Sequence, residues 1–144
     1  MDRIDTANQY FDNGFNCAQS VAAAFQDKLS LSEEELLKAA CPFGSGMGRL
    51  QQVCGAVSGA FLVIGLLYGK ASKEDNDARE KTYALIRQFH ESFTQIHKTT
   101  YCCDLIGCNL QTEEGQSHYR QNNLAEHVCR VCVQDSVRIL EKLA

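Results

Sequence analysis

The sequence predicts an all-α fold, a single-domain helical bundle of five or more helices over residues 1–144 around a glycine-rich apolar central helix. Proline occurs once and the ten glycines cluster at a few points, a distribution that favours long helices with sharp ends. No segment shows the alternating β-branched pattern of a strand. A chain of 144 residues, 44% of them hydrophobic, can bury a core large enough to fold as one domain.

The N-terminal region contains signals for two helices in direct succession. The first helix is expected over about residues 3–13, because Asn13-Gly14 is typical of a helix C-terminus. Asn16 can then cap a second helix together with Gln19, three residues later. The chain is therefore predicted to turn sharply just before Cys17.

A third helix is predicted to end in a flexible, glycine-rich loop. Ser32 and Glu35 have the spacing of a capping box that opens this helix. Pro42 is expected to exclude helical geometry at Cys41. The loop itself is Gly44–Gly48, which contains three glycines in five residues and directly precedes the most apolar segment of the chain.

That apolar segment, the twenty uncharged residues from Leu50 to Gly69, has two interpretations. It is just long enough to span a bilayer, but two glutamines, a serine and four glycines interrupt it, and acidic amphipathic helices follow. We therefore expect a central helix that is buried on all sides, and membrane insertion is unlikely by this criterion. Gly55 and Gly59 are four residues apart, and so are Gly65 and Gly69. This spacing would let a neighbouring helix approach closely.

Two further helices are expected in the C-terminal half. Turn and cap residues at Ser72–Asp77 precede a long amphipathic helix that reaches about Thr99. A cysteine-rich connector, Tyr101–Cys108, and a polar stretch at residues 111–122 come next. Asn123 is then predicted to open a last helix that runs to the C-terminus. The apolar stripe of the long helix is expected to comprise Ala78, Leu85, Phe89, Phe93 and Ile96.

Eight cysteines limit the chemistry that this chain can perform. The chain opens Met1-Asp2-Arg3-Ile4-Asp5, without the apolar core of a secretory signal, so we expect a cytoplasmic protein whose thiols stay reduced. In that compartment, many cysteines in one small domain are typical of metal ligation or thiol redox chemistry rather than of structural disulfides. Some of the eight are expected to be inert buried side chains.

The charge balance restricts the partners. The net charge is −4, and no stripe of lysines and arginines is present to displace counterions from phosphates, which argues against nucleic acid. The partners that remain are a thiol or disulfide redox partner, a small molecule or a metal.

Cys17 has the most favourable local setting for a reactive thiolate. If Asn16 caps the second helix, Cys17 is its first residue, and unpaired N–H groups beside the sulfur would favour the charged form. Simple packing of this thiol between helices is the alternative. Cys54 is expected in the first turns of the central helix, where small residues around it leave room for a partner, or serve only for tight helix packing.

The connector contains a vicinal pair, Cys102 and Cys103, followed by Cys108. Structural zinc sites usually have two separated C-x(2–4)-C pairs, and this spacing does not provide them. The connector is therefore weak evidence for zinc when it is taken alone.

The last helix carries a C-x-x-C pair, Cys129 and Cys132, which is predicted to lie in its second turn. Both sulfurs would share a helix face and could bind one metal ion or form a strained disulfide. A thioredoxin-like assignment is excluded, because no βαβ pattern surrounds the pair. His127, two residues before Cys129, is the best of the four histidines as a ligand or base.

Several of these motifs follow one another in a characteristic order. They are Gly14-Phe15-Asn16-Cys17, Gly44-x-Gly46-Met47-Gly48, Cys54-Gly55-Ala56-Val57-Ser58-Gly59-Ala60, Leu66-x-x-Gly69, Cys103-x-Leu105-x-Gly107, and Cys129 with Val133. In this order they resemble the C_GCAxxG_C_C family of redox-active proteins, which has about this length, four signature cysteines and a C-G-A-x-x-G motif. The resemblance extends over nearly the whole chain.

The resemblance implies that four segments each contribute one signature cysteine. These are Cys17, Cys54, Cys103 and Cys129, although Cys102 competes with Cys103 and Cys132 competes with Cys129. The leading hypothesis is a thiol redox protein, with thiol–disulfide oxidoreductase as the candidate enzyme class, in which the four cysteines converge beside the Gly44–Gly48 loop. Cys17 would attack, and Cys54 or Cys103 would resolve the mixed disulfide.

Two alternatives stay open at the level of sequence. The same four cysteines, with Cys132 and His127 as secondary ligands, could hold zinc or an iron–sulfur cluster as a metal or electron carrier. The second alternative is a non-catalytic helical interaction module whose buried thiols are inert.

Overall fold

The computed structural model describes residues 1–143. These residues form helices joined by turns and short irregular segments, and they contain no β-strand. The prediction of an all-α fold with five or more helices is confirmed. The α-helices are α1 (Arg3–Asp12), α2 (Cys17–Ala23), α3 (Glu33–Ala40), α4 (Gly55–Tyr68), α5 (Asn76–His97), α6 (Cys102–Ile106), α7 (Glu113–Gln121) and α8 (Arg130–Leu143). Short 3₁₀ turns occur at Gln26–Lys28 and Cys41–Phe43, and a π-helical turn occurs at Ala125–Cys129.

The predicted capping box accounts for the N-terminus of α2, whereas only the serine half of the box predicted at α3 forms. The side chain of Asn16 accepts a hydrogen bond from the Gln19 N–H at 2.9 Å, and the Gln19 side chain accepts one from the Asn16 N–H at 3.0 Å. Ser32 accepts a hydrogen bond from the Glu35 N–H at 3.1 Å. These bonds satisfy amides that lack partners inside the helix, and the reciprocal pair at Asn16 and Gln19 makes Cys17 the first residue of α2.

The segment after α3 differs from its prediction in two respects. Cys41 has helical backbone angles, φ −52° and ψ −44°, so the expectation that Pro42 excludes them is wrong. The preference before proline is statistical, and here Pro42 fits inside a 3₁₀ turn that continues from α3. The Gly44–Met47 turn that follows is compact rather than an open loop, because the Gly48 N–H donates to the Gly44 carbonyl at 2.9 Å.

Five successive residues in and just after this turn, which we call the left-handed turn, have left-handed backbones. Ser45, Gly46, Met47, Gly48 and Arg49 have φ values between 55° and 71°. A left-handed conformation costs about 1–2 kcal/mol for each non-glycine residue, so the tertiary fold must hold this turn in place. The Gln52 N–H donates to the Gly46 carbonyl at 2.9 Å, and a Cβ at Gly46 would stand 2.5 Å from Cα of Gln51.

The central apolar segment begins its helix later than predicted. Helix α4 starts at Gly55 with Cys54 as its N-cap, and Leu50 is 62% exposed. The preceding residues are instead extended alongside the connector, where the Cys54 N–H donates to the Thr100 carbonyl and the Cys102 N–H to the Gln52 carbonyl, both at 2.7 Å. Backbone pairing with the connector therefore replaces the first turn of the expected helix.

Helix α4 contacts α2 through its first two glycines and also packs against α5 and α8. A Cβ at Gly59 would stand 2.8 Å from Cα of Ala18, so the spacing of Gly55 and Gly59 does serve close approach. The C-terminal glycines do not, since the space around Gly65 is open. The helix is also not buried on all sides, because Leu66 is exposed.

Helix α5 buries Phe89 and Phe93, as its apolar stripe predicts, but Ile96 is 54% exposed. His97 takes its place at the end of the stripe. Its ring packs on Phe93 with 4.6 Å between centroids, and its Nε2 lies 2.8 Å from Oδ2 of Asp135 in α8. This hydrogen bond and the aromatic contact join α5 to α8.

The C-terminal segment contains two more helices than expected, because part of the connector forms α6 and residues 113–121 of the polar stretch form α7 behind a Thr112 N-cap. The last helix does not open with an Asn123 cap. Asn123 has a left-handed φ of 52°, whereas an N-cap residue has an extended backbone. A π-helical turn at Ala125–Cys129 leads into α8 instead.

The membrane interpretation receives no support from the helices. No helix within residues 1–143 is both long enough and apolar enough to cross a bilayer.

Candidate thiol site

Five of the eight cysteines line a single cavity of about 100 Å³. Its walls are otherwise mostly apolar, with Leu105, Ile106 and Val128 among them, and Ser45 and Gly46 of the left-handed turn form part of its border. The cavity therefore brings together thiols from four distant segments of the chain. The five are Cys17, Cys54, Cys102, Cys129 and Cys132.

In the connector, Cys102 rather than Cys103 reaches this cavity. Helix α6 begins at Cys102, and successive helical residues point about 100° apart, so only one of the two can face inward. Cys102 is buried and Cys103 is exposed, with its thiol directed at the Asp104 carboxylate 3.8 Å away. Cys103 thus lies outside the site that the family resemblance implied for it.

The other candidate residues lie elsewhere on the surface. Cys41 is exposed, and Cys108 lines a separate surface depression together with Cys103. His127 is exposed and borders another depression beside His97. The structure therefore does not bring His127 to the cysteine cavity.

Glycine at position 55 allows α2 and α4 to place their cysteines side by side. A Cβ at Gly55 would stand 3.3 Å from Cβ of Cys17 and 3.2 Å from the Ala18 nitrogen, which is tighter than ordinary van der Waals contact. Cys17 is the first residue of α2 and Cys54 is the N-cap of α4. The C-G-A sequence therefore sets one helix N-terminus against another.

The π-helical turn presents Cys129 to the cavity. Arg130, the next residue, anchors this turn to α1, because its guanidinium donates to Asn8 Oδ1 at 3.1 Å and also pairs with Asp12. The same guanidinium binds Glu126 at 2.7 Å within the turn. Such turns are rare and occur frequently at functional sites.

Tyr119, which the sequence analysis did not single out, is a direct partner of Cys129. Its hydroxyl lies 3.2 Å from the Cys129 sulfur, and it reaches the cavity from α7, a helix that was not expected. Burial, followed by the nearby Cys129, raises the pKa of Tyr119, so the phenol keeps its proton and is the donor. No local sequence signal pointed to this contact, since it joins two helices.

Cys17 and Cys129 are the less buried of the paired thiols in the cavity, and they are called the outer pair below. Of these two, Cys129 favours the ionised form. A hydrogen bond donated by Cys17 is the largest cause, and the Tyr119 hydroxyl adds to it, so that the pKa of Cys129 falls from 9.0 to about 7 despite burial. The same contact raises the pKa of Cys17 well above its ordinary value. The expected depression of the Cys17 pKa is therefore wrong, because Cys129 has two donors and Cys17 acts as one of them.

A second pair of thiols, Cys54 and Cys132, lines the same cavity and is more deeply buried than Cys17 and Cys129. The hydrogen bond from Cys132 is the largest cause that lowers the pKa of Cys54, and the N–H of Ala56 at the start of α4 adds to it against the effect of burial. That N–H group is near the sulfur without forming a capping hydrogen bond. The bond to Cys54 and burial both raise the pKa of Cys132.

Cys102 differs from the four paired thiols. Burial is the main cause that raises its pKa to about 12, and the neighbouring cysteines add to the effect. It therefore stays a neutral thiol in the cavity wall at physiological pH.

The side chains of the described residues provide no ready ligand set for a metal ion. Within residues 1–143, no three cysteine, histidine, aspartate or glutamate side chains are arranged to hold a metal ion. The metal interpretation therefore stays a prediction from the sequence.

The comparisons with known proteins agree with the cysteine pattern. The profile of the family described as "Putative redox-active protein (C_GCAxxG_C_C)" matches residues 15–143. No curated protein and no solved structure matched the chain. Because the family match spans nearly the entire sequence and includes all eight cysteines, this chain belongs to the C_GCAxxG_C_C family.

Proposed function

We propose that the protein performs thiol–disulfide exchange with Cys129 as the attacking thiolate and Cys17 as the resolving thiol. The observation that carries the proposal is that these two half-buried thiols line one cavity, in which the Tyr119 hydroxyl lies 3.2 Å from the Cys129 sulfur. A thiol whose pKa lies near ambient pH is the best compromise between ionised fraction and nucleophilicity. Cys129, at about 7, meets this condition.

The reaction has two steps. The Cys129 thiolate attacks one sulfur of a substrate disulfide, forming a mixed disulfide and expelling the other substrate sulfur as a thiolate. Cys17 then loses its proton to that thiolate or to water and attacks the Cys129 sulfur. The Cys17–Cys129 disulfide forms, the second substrate thiolate leaves, and two electrons have passed from the protein to the substrate.

The surroundings of the pair support this chemistry. The hydroxyl of Tyr119 stabilises the Cys129 thiolate before attack. It can also donate to the Cys129 sulfur when Cys129 is the leaving group and becomes a thiolate again. Apolar walls lower the local dielectric constant, which strengthens these hydrogen bonds. The cavity of about 100 Å³ accepts a group no larger than a side chain, so the substrate disulfide is expected to present one sulfur at the opening.

Trapping the mixed disulfide tests the assignment of the two roles. In Cys17→Ser protein, attack can occur but resolution by Cys17 cannot, so oxidised glutathione should leave a glutathione adduct on Cys129, detected by peptide mass. The double variant Cys17→Ser/Cys54→Ser should make this adduct stable, because the second nearby thiolate that could displace it is removed as well. Serine can also replace the hydrogen bond that Cys17 donates. In Cys129→Ser protein neither an adduct at this site nor a Cys17–Cys129 disulfide should form, while Cys103→Ser and Cys41→Ser should behave as wild type.

The opposite trapping pattern would refute the assignment. A stable adduct on Cys17 in Cys129→Ser protein, with none on Cys129 in Cys17→Ser protein, would restore Cys17 as the nucleophile. Metal analysis and an absorbance spectrum of anaerobically purified protein address the metal alternative. Stoichiometric zinc or iron whose loss in Cys17→Ser and Cys129→Ser exposes the remaining thiols would count against exchange as the function.

A further inference from the structure

The proposed exchange leaves a second pair of thiols without a role. Cys54 and Cys132 line the same cavity as the outer pair and are only 6% and 1% exposed. Single buried cysteines are commonly inert apolar side chains. Two buried thiols that line one cavity together with a redox pair can, in contrast, form a disulfide.

We propose that Cys54 and Cys132 form an inner disulfide couple, which exchanges electrons with external substrates only through the outer Cys17–Cys129 couple. This inference rests on the proposed function of the outer pair. The fully reduced protein would then hold four electrons for transfer, in two couples of two.

The starts of α8 and α4 bring the two couples to the walls of one cavity. Cys129 and Cys132 are three residues apart, at the junction of the π-helical turn and α8, and both face the cavity. Cys54 is held opposite by its N–H bond of 2.7 Å to the Thr100 carbonyl. A charge on Cys54 or Cys129 would raise the pKa of Cys17, which places all these sulfurs in one electrostatic neighbourhood.

The transfer between the couples requires two exchanges and no additional reagent. The Cys54 thiolate attacks the Cys129 sulfur of the outer disulfide, and Cys17 leaves as a thiolate that takes up a proton. The Cys132 thiol then loses a proton and attacks the Cys54 sulfur, and Cys129 leaves as a thiolate. The inner disulfide has formed, the outer couple is again reduced, and a second substrate disulfide can react.

The lowered pKa of Cys54 supports its role as the attacking inner thiol, because exchange proceeds through the thiolate. The difference in exposure supports the order of oxidation. Cys17 and Cys129 are half-buried, whereas Cys54 and Cys132 are buried. A tripeptide disulfide cannot enter a cavity of about 100 Å³, so it can oxidise only the outer couple directly.

Oxidised glutathione is therefore a suitable probe for the relay. Reduced protein is mixed with it, samples are acid-quenched at intervals, free thiols are alkylated, and the disulfides are mapped by peptide mass. In wild type, the Cys17–Cys129 disulfide should appear first and the Cys54–Cys132 disulfide later. In Cys129→Ser protein, the inner disulfide should form at least about tenfold more slowly, since its route has been removed.

Two further variants make the result independent of folding defects in a single protein. Cys132→Ala should retain the outer disulfide and form no second one, whereas the surface variant Cys103→Ser should form both at the wild-type rate. Inner thiols that stay reduced in wild type while the outer disulfide is complete would overturn the relay. So would an inner disulfide that forms at the wild-type rate in Cys129→Ser. If wild type forms no Cys17–Cys129 disulfide at all, it is the proposed function that fails.

Discussion

At the scale of single residues, Tyr119 helps to decide how reactive Cys129 is at neutral pH. The phenol donates to the sulfur across 3.2 Å, and burial raises its pKa, so it stays protonated over the range in which Cys129 titrates. Cys17 is the other donor. The thiolate is thus stabilised by side chains from other helices and not by the start of its own helix.

Replacement of Tyr119 by phenylalanine should raise the pKa of Cys129. A hydrogen bond to a charged group contributes about 1.5–3 kcal/mol. The lower figure corresponds to a rise of about one unit in the pKa of Cys129, which would make its alkylation at pH 7 about fivefold slower. The measurement is the rate of iodoacetamide labelling of Cys129 against pH, followed by peptide mass. Tyr101→Phe is the control, because Tyr101 is exposed. An unchanged profile in Tyr119→Phe would remove the phenol from the account of the site.

At the scale of elements, the contact between α2 and α4 positions half of the cavity. It depends on glycine at positions 55 and 59, where the backbones approach too closely for a side chain. The same helix contains a glycine in open space, Gly65. The two environments provide a matched comparison within one helix.

Alanine at position 59 should destabilise the protein, and alanine at position 65 should not. A Cβ at Gly59 would stand 2.8 Å from both Cα and the carbonyl oxygen of Ala18, and overpacking of this kind costs about 1–3 kcal/mol. Gly65→Ala should raise the free energy of unfolding by about 0.5–1 kcal/mol, because alanine is favoured in a helix interior. Urea unfolding of both variants measures the difference, and equal effects would contradict this account of the helix contact.

A buried glutamine joins the segment before α4 to the loop after α6. The Gln51 side chain donates to the Cys108 carbonyl at 2.6 Å and accepts from the Leu110 N–H at 2.8 Å. Gln51→Leu should lower the free energy of unfolding by about 2 kcal/mol, since it leaves two backbone groups unpaired. Hydrogen exchange at the Leu110 amide should also accelerate. Gln52→Leu, at an exposed position, is the control, and protection of Leu110 that survives Gln51→Leu would refute the role of the side chain.

At the scale of the whole molecule, the outer disulfide would connect the two ends of the chain. Cys17 lies at the start of α2, and Cys129 lies at the junction with the last helix. A bridge between them closes a loop over most of the sequence, which restricts the unfolded chain strongly. Redox state and stability should therefore be linked.

Oxidised protein should be more stable than reduced protein. For a loop of about 100 residues, the chain-entropy model gives a stabilisation of about 4–5 kcal/mol. Urea unfolding after treatment with oxidised glutathione or with dithiothreitol measures the difference. Cys129→Ser should lose it, while Cys41→Ser should keep it. Equal stability of oxidised and reduced wild type would show that no bridge spans these elements.

Local signals in the sequence predict a large part of this fold. The capping residues Asn16 and Ser32 act within one turn of their own positions, so the helix starts that they predict are confirmed. The left-handed turn at residues 45–49 was not predicted, because serine, methionine and arginine adopt that backbone only when tertiary contacts impose it. The late start of α4 has a similar cause, since its preceding residues hydrogen-bond to a segment far away in the sequence.

Some features of the candidate site could likewise be read from the sequence, and others depend on the tertiary structure. The sequence by itself determined the helical class, the presence of eight cysteines and the family pattern, because composition, periodicity and motif order are properties of the chain alone. Only the tertiary structure decided that Cys102 faces inward instead of Cys103, that Cys132 pairs with Cys54, and that Cys129 rather than Cys17 favours the thiolate. The physical reason is that the pKa of a thiol depends on the donors and burial around its sulfur, and these come from helices that meet only when the chain folds.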